Sequence, residues 1–352
     1  MSMERHRAKR PFFWAVMGVF WALGASVGDA EARRLCRIGS PDKAFMAAKG
    51  GAVLSLAFSR DGKMLAAGTR SGRLLIYRIS KTSPPASLKL QGAVRAIWFV
   101  RGSKSNSASS AKTLLAVGGE FGLRLLEIVT SPSFKVKRLL VLQRKGVVMA
   151  LAQDPKGIYL ASSGRDRKVT LWSTSSWKKK RSFGGHTSWV GALVFSRNGK
   201  QVFSGGWDNT VRAYRVRDGK KLWVHYKHKF AVNALVMGDK GKTVYSVSDD
   251  GRLRRIRVSD GKDLKRFRVG PATGLGVVRK AGVMALATWR GRIKLLAYPR
   301  LKLIRSLRAS SSRIRCLAVS PKGLVAVGGD LGAVKLWALP PACLRGRSPS
   351  TR

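Results

Sequence analysis

Few residues in this chain could do acid–base or metal chemistry. Its 352 residues hold 17 Asp and Glu and 4 His against 69 Lys and Arg. Glycosidic or general acid–base catalysis needs carboxylates that converge and perturb one another. The acids here stand apart in turn-forming contexts. Asp61, Asp154 and Asp239 sit in RDGK, DPKG and DKGK. Asp218 and Asp260 sit in RDGK and SDGK. Asp166, Asp208, Asp249, Asp250 and Asp330 precede alternating segments. Glu31, Asp42, Glu120, Glu127 and Asp263 are scattered, and Glu4 and Asp29 fall in an N-terminal segment. A metal site wants clustered His, Cys or acids, and a phosphate loop would read Gly-x-x-x-x-Gly-Lys-Ser/Thr. Neither is present in the sequence. The expectation is a chain that is not an enzyme, binds no cofactor or metal, and works through a binding surface.

The elements that would carry such a surface repeat. Seven apolar segments open seven units: AVLSLAFS at 52, AVRAIWFV at 93, VVMALAQD at 147, WVGALVFS at 189, AVNALVMG at 231, ATGLGVVR at 272 and RIRCLAVS at 313. Most are 40 to 42 residues apart, and the second unit is lengthened by GSKSNSASSAK (102–112), which reads as a flexible loop. Each opening segment reads as a strand buried on both faces. A hairpin turn such as RDGK or RNGK follows, where Asp-Gly and Asn-Gly tolerate positive φ. A second strand then ends in small residues, as in LAAGT, LASSG and VFSGG. The third strand alternates apolar and basic residues, as in VRAYRV and VKLWAL, so one face is expected to be wet. The last is the richest in Lys and Arg. Four short strands every ~40–45 residues match one blade of a β-propeller. One blade cannot bury both faces, but seven in a closed ring can. The expected fold is all-β: a seven-bladed propeller of four-stranded antiparallel blades over residues 31–345.

Over that range the chain resembles the WD-repeat family, through GGH at 184–186, GGWDNTV at 205 and SGRDRKVTLW at 163. The resemblance implies a hydrogen-bonded His, Ser/Thr, Asp and Trp tetrad within blades, structural in role. The fourth unit has His186, Ser204 and Asp208, with Tyr214 for Trp. The fifth has His228, Ser246 and Asp250, with Ile256 for Trp. The third has Ser162, Asp166 and Trp172, with Arg144 where His belongs. The seventh keeps Trp337, with Asp330 one position early. Other propeller families with degenerate repeats stay open. Related propellers also complete the last blade with an N-terminal strand. Here ARRLCRI (32–38) is expected to pair with AVKLWAL (333–339), which would bring Cys36 near Cys343 for a disulfide in an oxidising compartment. Cys316 fills a small-residue slot shared with Ala150, Ala192 and Ala234, as a buried thiol.

In this family the residue before the tetrad Asp points to the top face. Matched positions are Arg70, Arg165, Trp207, Asp249, Trp289 and Asp330, with Trp189 in the loop entering the fourth unit. Arg and aromatic residues are interface anchors, so a protein partner is expected there, centred on Arg165, Trp207 and Trp289. The formal charge of +52 suggests a second reading. Basic runs in the third and fourth strands, such as RLRRIRV and DLKRFRV, would make the side wall a polyanion binder. Its targets would be a membrane surface or lipopolysaccharide, or nucleic acid if the chain is cytoplasmic. Residues 1–30 read as a signal peptide or anchor: a basic start, 18 uncharged residues from Pro11 to Gly28, and small residues Gly28 and Ala30 before a cleavage point. The protein is therefore expected in the periplasm or cell envelope, as a monomeric scaffold. Residues 346–352 read as a basic disordered tail.

Overall fold

A computed structural model describes residues 43–46, 51–80, 84–101, 112–130, 134–238 and 240–339. They form seven four-stranded antiparallel sheets and one short 3₁₀ turn. In six sheets the strands follow chain order from the axis outward. Each innermost strand packs beside that of the next blade, and the seventh, Ile314–Val319, packs beside the first, Val53–Phe58. The sheets thus close into a ring, a seven-bladed β-propeller.

The turn chemistry explains why the strands recur. In the first unit the Ser59 hydroxyl donates to Asp61 Oδ1 at 2.6 Å and accepts from the Met64 amide, while Gly62 takes φ +67°. Asn198 stands in for the acid in the fourth unit: Ser196 donates to its Oδ1 at 2.7 Å, and Gly199 takes φ +71°. Such turns reverse the chain tightly and fix the pairing register. The core then forms between blades. Between the fourth and fifth, for example, Phe203 and Trp223 pack 5.6 Å apart among Val211, Val232, Val244 and Ile256.

Two expectations need correction. The strand that completes the seventh blade is Lys43–Met46, not ARRLCRI: Lys43 pairs with Leu336 and Met46 with Ala333. The positions opposite residues 333–336 are therefore taken by KAFM. Some third strands are also drier than expected. Val211–Arg215 is almost wholly buried, with Arg212 6% exposed, and Arg254 in Arg252–Arg257 is 5% exposed. Both arginines satisfy burial by pairing, Arg212 with Asp208 at 3.3 Å and Arg254 with Asp263. Exposure is greatest on the outermost strands, although Arg73, Arg257 and Arg292 on third strands are also exposed. Residues 1–30, Cys36, Cys343 and the tail lie outside the described residues, as do 102–111 of the insert; Lys112 already begins a strand. Among the described residues no helix is long and apolar enough to cross a membrane.

Candidate functional site

Two Ser–His–Asp relays form in neighbouring blades. In the fourth, His186 Nδ1 lies 2.9 Å from Asp208 and Nε2 lies 2.6 Å from Ser204 Oγ. In the fifth, His228 repeats this with Asp250 at 2.9 Å and Ser246 at 2.7 Å. Both imidazoles have no exposed surface. Burial would raise the Asp208 carboxyl, but bonds from His186, the Thr187 amide and Thr210 outweigh it and hold it well below the usual range. Asp250 is likewise drawn down to about 2 against its own burial, by His228 and the Arg252 and Lys229 amides. A serine nucleophile of this kind would need an open face for substrate. Ser204 and Ser246 are 0% exposed, so the relays clamp the loops at the blade tops.

The third blade keeps only half of the arrangement. Trp172 Nε1 donates to Ser162 Oγ at 2.9 Å, while Asp166 stays exposed and accepts only the Lys168 amide at 3.2 Å. Tyr214, in the Trp position of the fourth blade, donates instead to the Gly184 carbonyl at 3.1 Å. In the first and sixth blades Thr69 and Thr288 close the same turn by accepting the Arg73 and Arg292 amides.

Above the clamps lies a ring of seven equivalent positions. The amides of Arg70, Glu120, Arg165, Trp207, Asp249, Trp289 and Asp330 all donate to the carbonyl that leads into their blade's inner strand, at 2.8–3.3 Å. Six were expected from the sequence. Glu120 was missed, although GGE at 118–120 aligns with GGW at 205–207 and GGD at 328–330. Asp330 belongs to this ring; the tetrad position of its blade is Leu331.

Each inner strand carries a register shift near its top, and in the second, fifth and seventh blades the skipped residue binds the ring position of the same blade. Skipped Arg95 binds Glu120 at 2.9 Å, Asn233 donates to Asp249 at 2.5 Å, and Arg315 binds Asp330 at 2.7 Å. Arg70 reaches Asp330 at 4.0 Å across the first and seventh blades. The acids of the top face are thus held by fixed partners. Burial raises the Asp249 carboxyl despite the Asn233 bond, and the Arg95 hydrogen bond lowers Glu120.

The aromatic anchors fall into two groups. Arg165 lies over the Trp189 ring at 4.3 Å, and Trp189 packs against Trp207 at 4.7 Å. Trp207 remains 42% exposed. Next to it, Asn209 donates to the Lys229 carbonyl and so draws in the loop bearing Phe230, 59% exposed. Trp289 stands apart from this group, half-buried, with the Arg313 guanidinium 3.6 Å above its ring. The expected centre of Arg165, Trp207 and Trp289 is therefore split: Arg165 and the exposed Trp207 meet on Trp189, and Trp289 pairs with Arg313.

Elsewhere the chemistry is sparse. Burial lowers the His225 pKa, and its Nδ1 meets the Gly261 carbonyl at 3.0 Å on an outer strand. Cys316 Sγ packs 3.6 Å from the Val53 and Gly328 carbonyls. Among the described residues no three His, Cys, Asp or Glu stand together as a metal site would require. The basic residues crowd the outer strands, as in Lys179–Phe183 and Asp263–Arg268.

Comparison with known proteins agrees with this geometry. The WD domain, G-beta repeat model matches residues 39–78, 137–173, 177–215 and 301–338. Each match begins before or within the outer strand of one blade and ends with the third strand of the next. This offset is the one that lets Lys43–Met46 complete the seventh blade. Over 44 residues the chain is 46% identical to "Nuclear distribution protein PAC1" of Coprinopsis cinerea. That stretch covers 12% of this chain and 10% of the relative, so the likeness is of one repeat. WD40 propellers generally serve as protein-interaction scaffolds. The chain thus carries WD repeats in four places and folds as a seven-bladed β-propeller.

Proposed function

We propose that this protein is a non-catalytic scaffold that docks a protein partner on its top face, centred on Arg165, Trp189 and Trp207. The exposed Trp207 ring carries the reading. An indole that stays 42% exposed, braced by a second indole and a guanidinium, is a rigid apolar anchor awaiting a cover. Arg95, Asn233 and Arg315 fix the acids around it, so the surface is organised before binding, which lowers the ordering cost. The N-terminal basic and apolar segment supports placing this scaffold in the cell envelope, where its partner would be an envelope protein.

The test is affinity capture with the full chain and with Trp207→Ala, at low and high salt. A true top-face partner is retained at high salt by the natural chain and lost by the variant. A partner set that depends on salt alone and ignores Trp207 refutes the reading. Sequencing the N-terminus of protein recovered from fractionated cells tests the envelope assignment separately.

A further inference from the structure

The outer strand of the second blade, Lys135–Gln143, differs from the other described outer strands. Leu139, Leu140 and Val141 are three consecutive aliphatics at 53%, 44% and 39% exposure. The outer strands of the fourth, fifth and sixth blades each show one exposed leucine, Leu222, Leu264 and Leu303. Two register shifts, which skip Leu139 and Leu142, interrupt the pairing with the strand inside it. The shifts leave Leu139 without a cross-strand partner on the rim of the sheet.

Exposed basic residues flank the run: Lys135, Lys137 and Arg138 before it, Arg144 and Lys145 after it. The one acid in register is Glu127, opposite Lys137. Arg138 also reaches the Lys89 carbonyl at 3.2 Å, which ties the strand to the wall of the first blade. Aliphatics of this size normally seek cover. A second copy of the chain is a poor cover, because each copy carries +52. Nucleic acid would satisfy the lysines and arginines but offers nothing to three adjacent aliphatics. An anionic bilayer satisfies both, with apolar side chains in the acyl boundary and basic ones at the phosphates.

We propose that the wall of the second blade is a docking site for an anionic lipid surface, with Leu139, Leu140 and Val141 inserted and Lys135, Lys137, Arg138, Arg144 and Lys145 at the headgroups. The site is separate from the top face and leaves Trp207 free for a protein. Each basic residue near an anionic leaflet strengthens binding about fivefold at low salt. The aliphatics supply the part that salt does not screen.

The test uses the full chain with vesicles of phosphatidylcholine, with and without phosphatidylglycerol. Hydrogen–deuterium exchange should show amides 135–145 protected by the phosphatidylglycerol vesicles. This local readout separates the wall from any binding through residues 1–30. In parallel, the triple variant Leu139→Ser, Leu140→Ser, Val141→Ser should lose that protection and bind about a hundredfold more weakly. Its affinity for a short DNA duplex should be unchanged. If the triple variant melts early, Leu139→Asp alone repeats the comparison at the unpaired position. Unprotected amides at 135–145, or vesicle binding indifferent to the aliphatics, would overturn the proposal. So would a parallel loss of duplex binding, which would mean that the substitutions act through the fold.

Discussion

Asp166 and Asp208 occupy the same repeat position in adjacent blades, and the structure assigns them very different roles. Asp208 accepts bonds from His186, the Thr187 amide, the Thr210 hydroxyl and amide, and Arg212, with its side chain 4% exposed. Asp208→Ala would strand a buried imidazole and a guanidinium only 8% exposed. Removing one partner of a buried charged pair costs about 3–5 kcal/mol. Asp166 is exposed and accepts one amide bond, so Asp166→Ala should cost about 0.5 kcal/mol or less. The two alanine variants should therefore differ by about 3 kcal/mol, at one repeat position and with one residue type. Urea unfolding followed by far-ultraviolet circular dichroism measures both midpoints, provided that the slopes agree. Asp208→Asn should fall between them, because it keeps an acceptor and gives up the charge. Equal midpoints for the two alanine variants would refute the claim that the relay in the fourth blade is a clamp and the turn in the third is not.

Other outcomes follow from neighbouring features. The Asp250 carboxyl is held at about 2 against an ordinary 3.8. Its contribution is complete above the ordinary value and disappears as pH falls through about 2, so thermal stability should drop across that window. In Asp250→Asn the drop should be shallower by about 1–2 kcal/mol. A side chain at Gly206 would overlap Asp208 Oδ1 and the His186 ring, so Gly206→Ala should destabilise about as much as Asp208→Ala, and the double variant should show strong non-additivity in urea. Cys316 is only partly buried, but its surroundings push the thiol far up, so iodoacetamide should modify it much more slowly in the folded protein than after unfolding, as read by peptide mass. The Cys36–Cys343 bridge remains our proposal. Counting outward from the observed Lys43–Leu336 pair, seven positions each way lead to these two cysteines. Non-reducing digests of protein from an oxidising compartment should yield the linked peptide, and finding Cys36 alkylated and free would dismiss it.

The repeat was legible because its causes are local. Asp61-Gly62 and Asn198-Gly199 bend the chain wherever they occur, and small residues such as Gly205-Gly206 end the second strand wherever a clamp must pack. The relays could be read for the same reason, since His186, Ser204 and Asp208 lie within one blade and keep fixed spacing. Features set by distant partners could not. ARRLCRI and KAFM are both short segments near the start, and only pairing with a strand some 290 residues away selects the second. The buried face of Arg252–Arg257 looked wet because an arginine in sequence does not show the Asp263 that neutralises it. Glu120 escaped notice because the 102–112 insert moves it off the spacing that the other units share, and the backbone bond to Ala93 places it.

That division also explains how this chain tolerates so many lost tetrads. A tetrad stabilises one loop, whereas burial between blades stabilises the ring, and the second effect does not depend on the first. Blades without the relay hold the same turn by other means, through Thr69 or Thr288, or by packing Phe121 at 5% exposure. Once the ring is secured this way, the positions above it are released from structural duty. The seven ring residues share one backbone bond and no side-chain type, from Arg70 to Trp289. Sites that are fixed in backbone and free in side chain are where a scaffold can change partners without changing fold. Substituting the exposed Trp207 should therefore cost about 1 kcal/mol of unfolding free energy, well short of Asp208→Ala, while removing partner capture. A loss of stability comparable to that of Asp208→Ala would place Trp207 among the clamps instead, and the argument for a docking face there would fail.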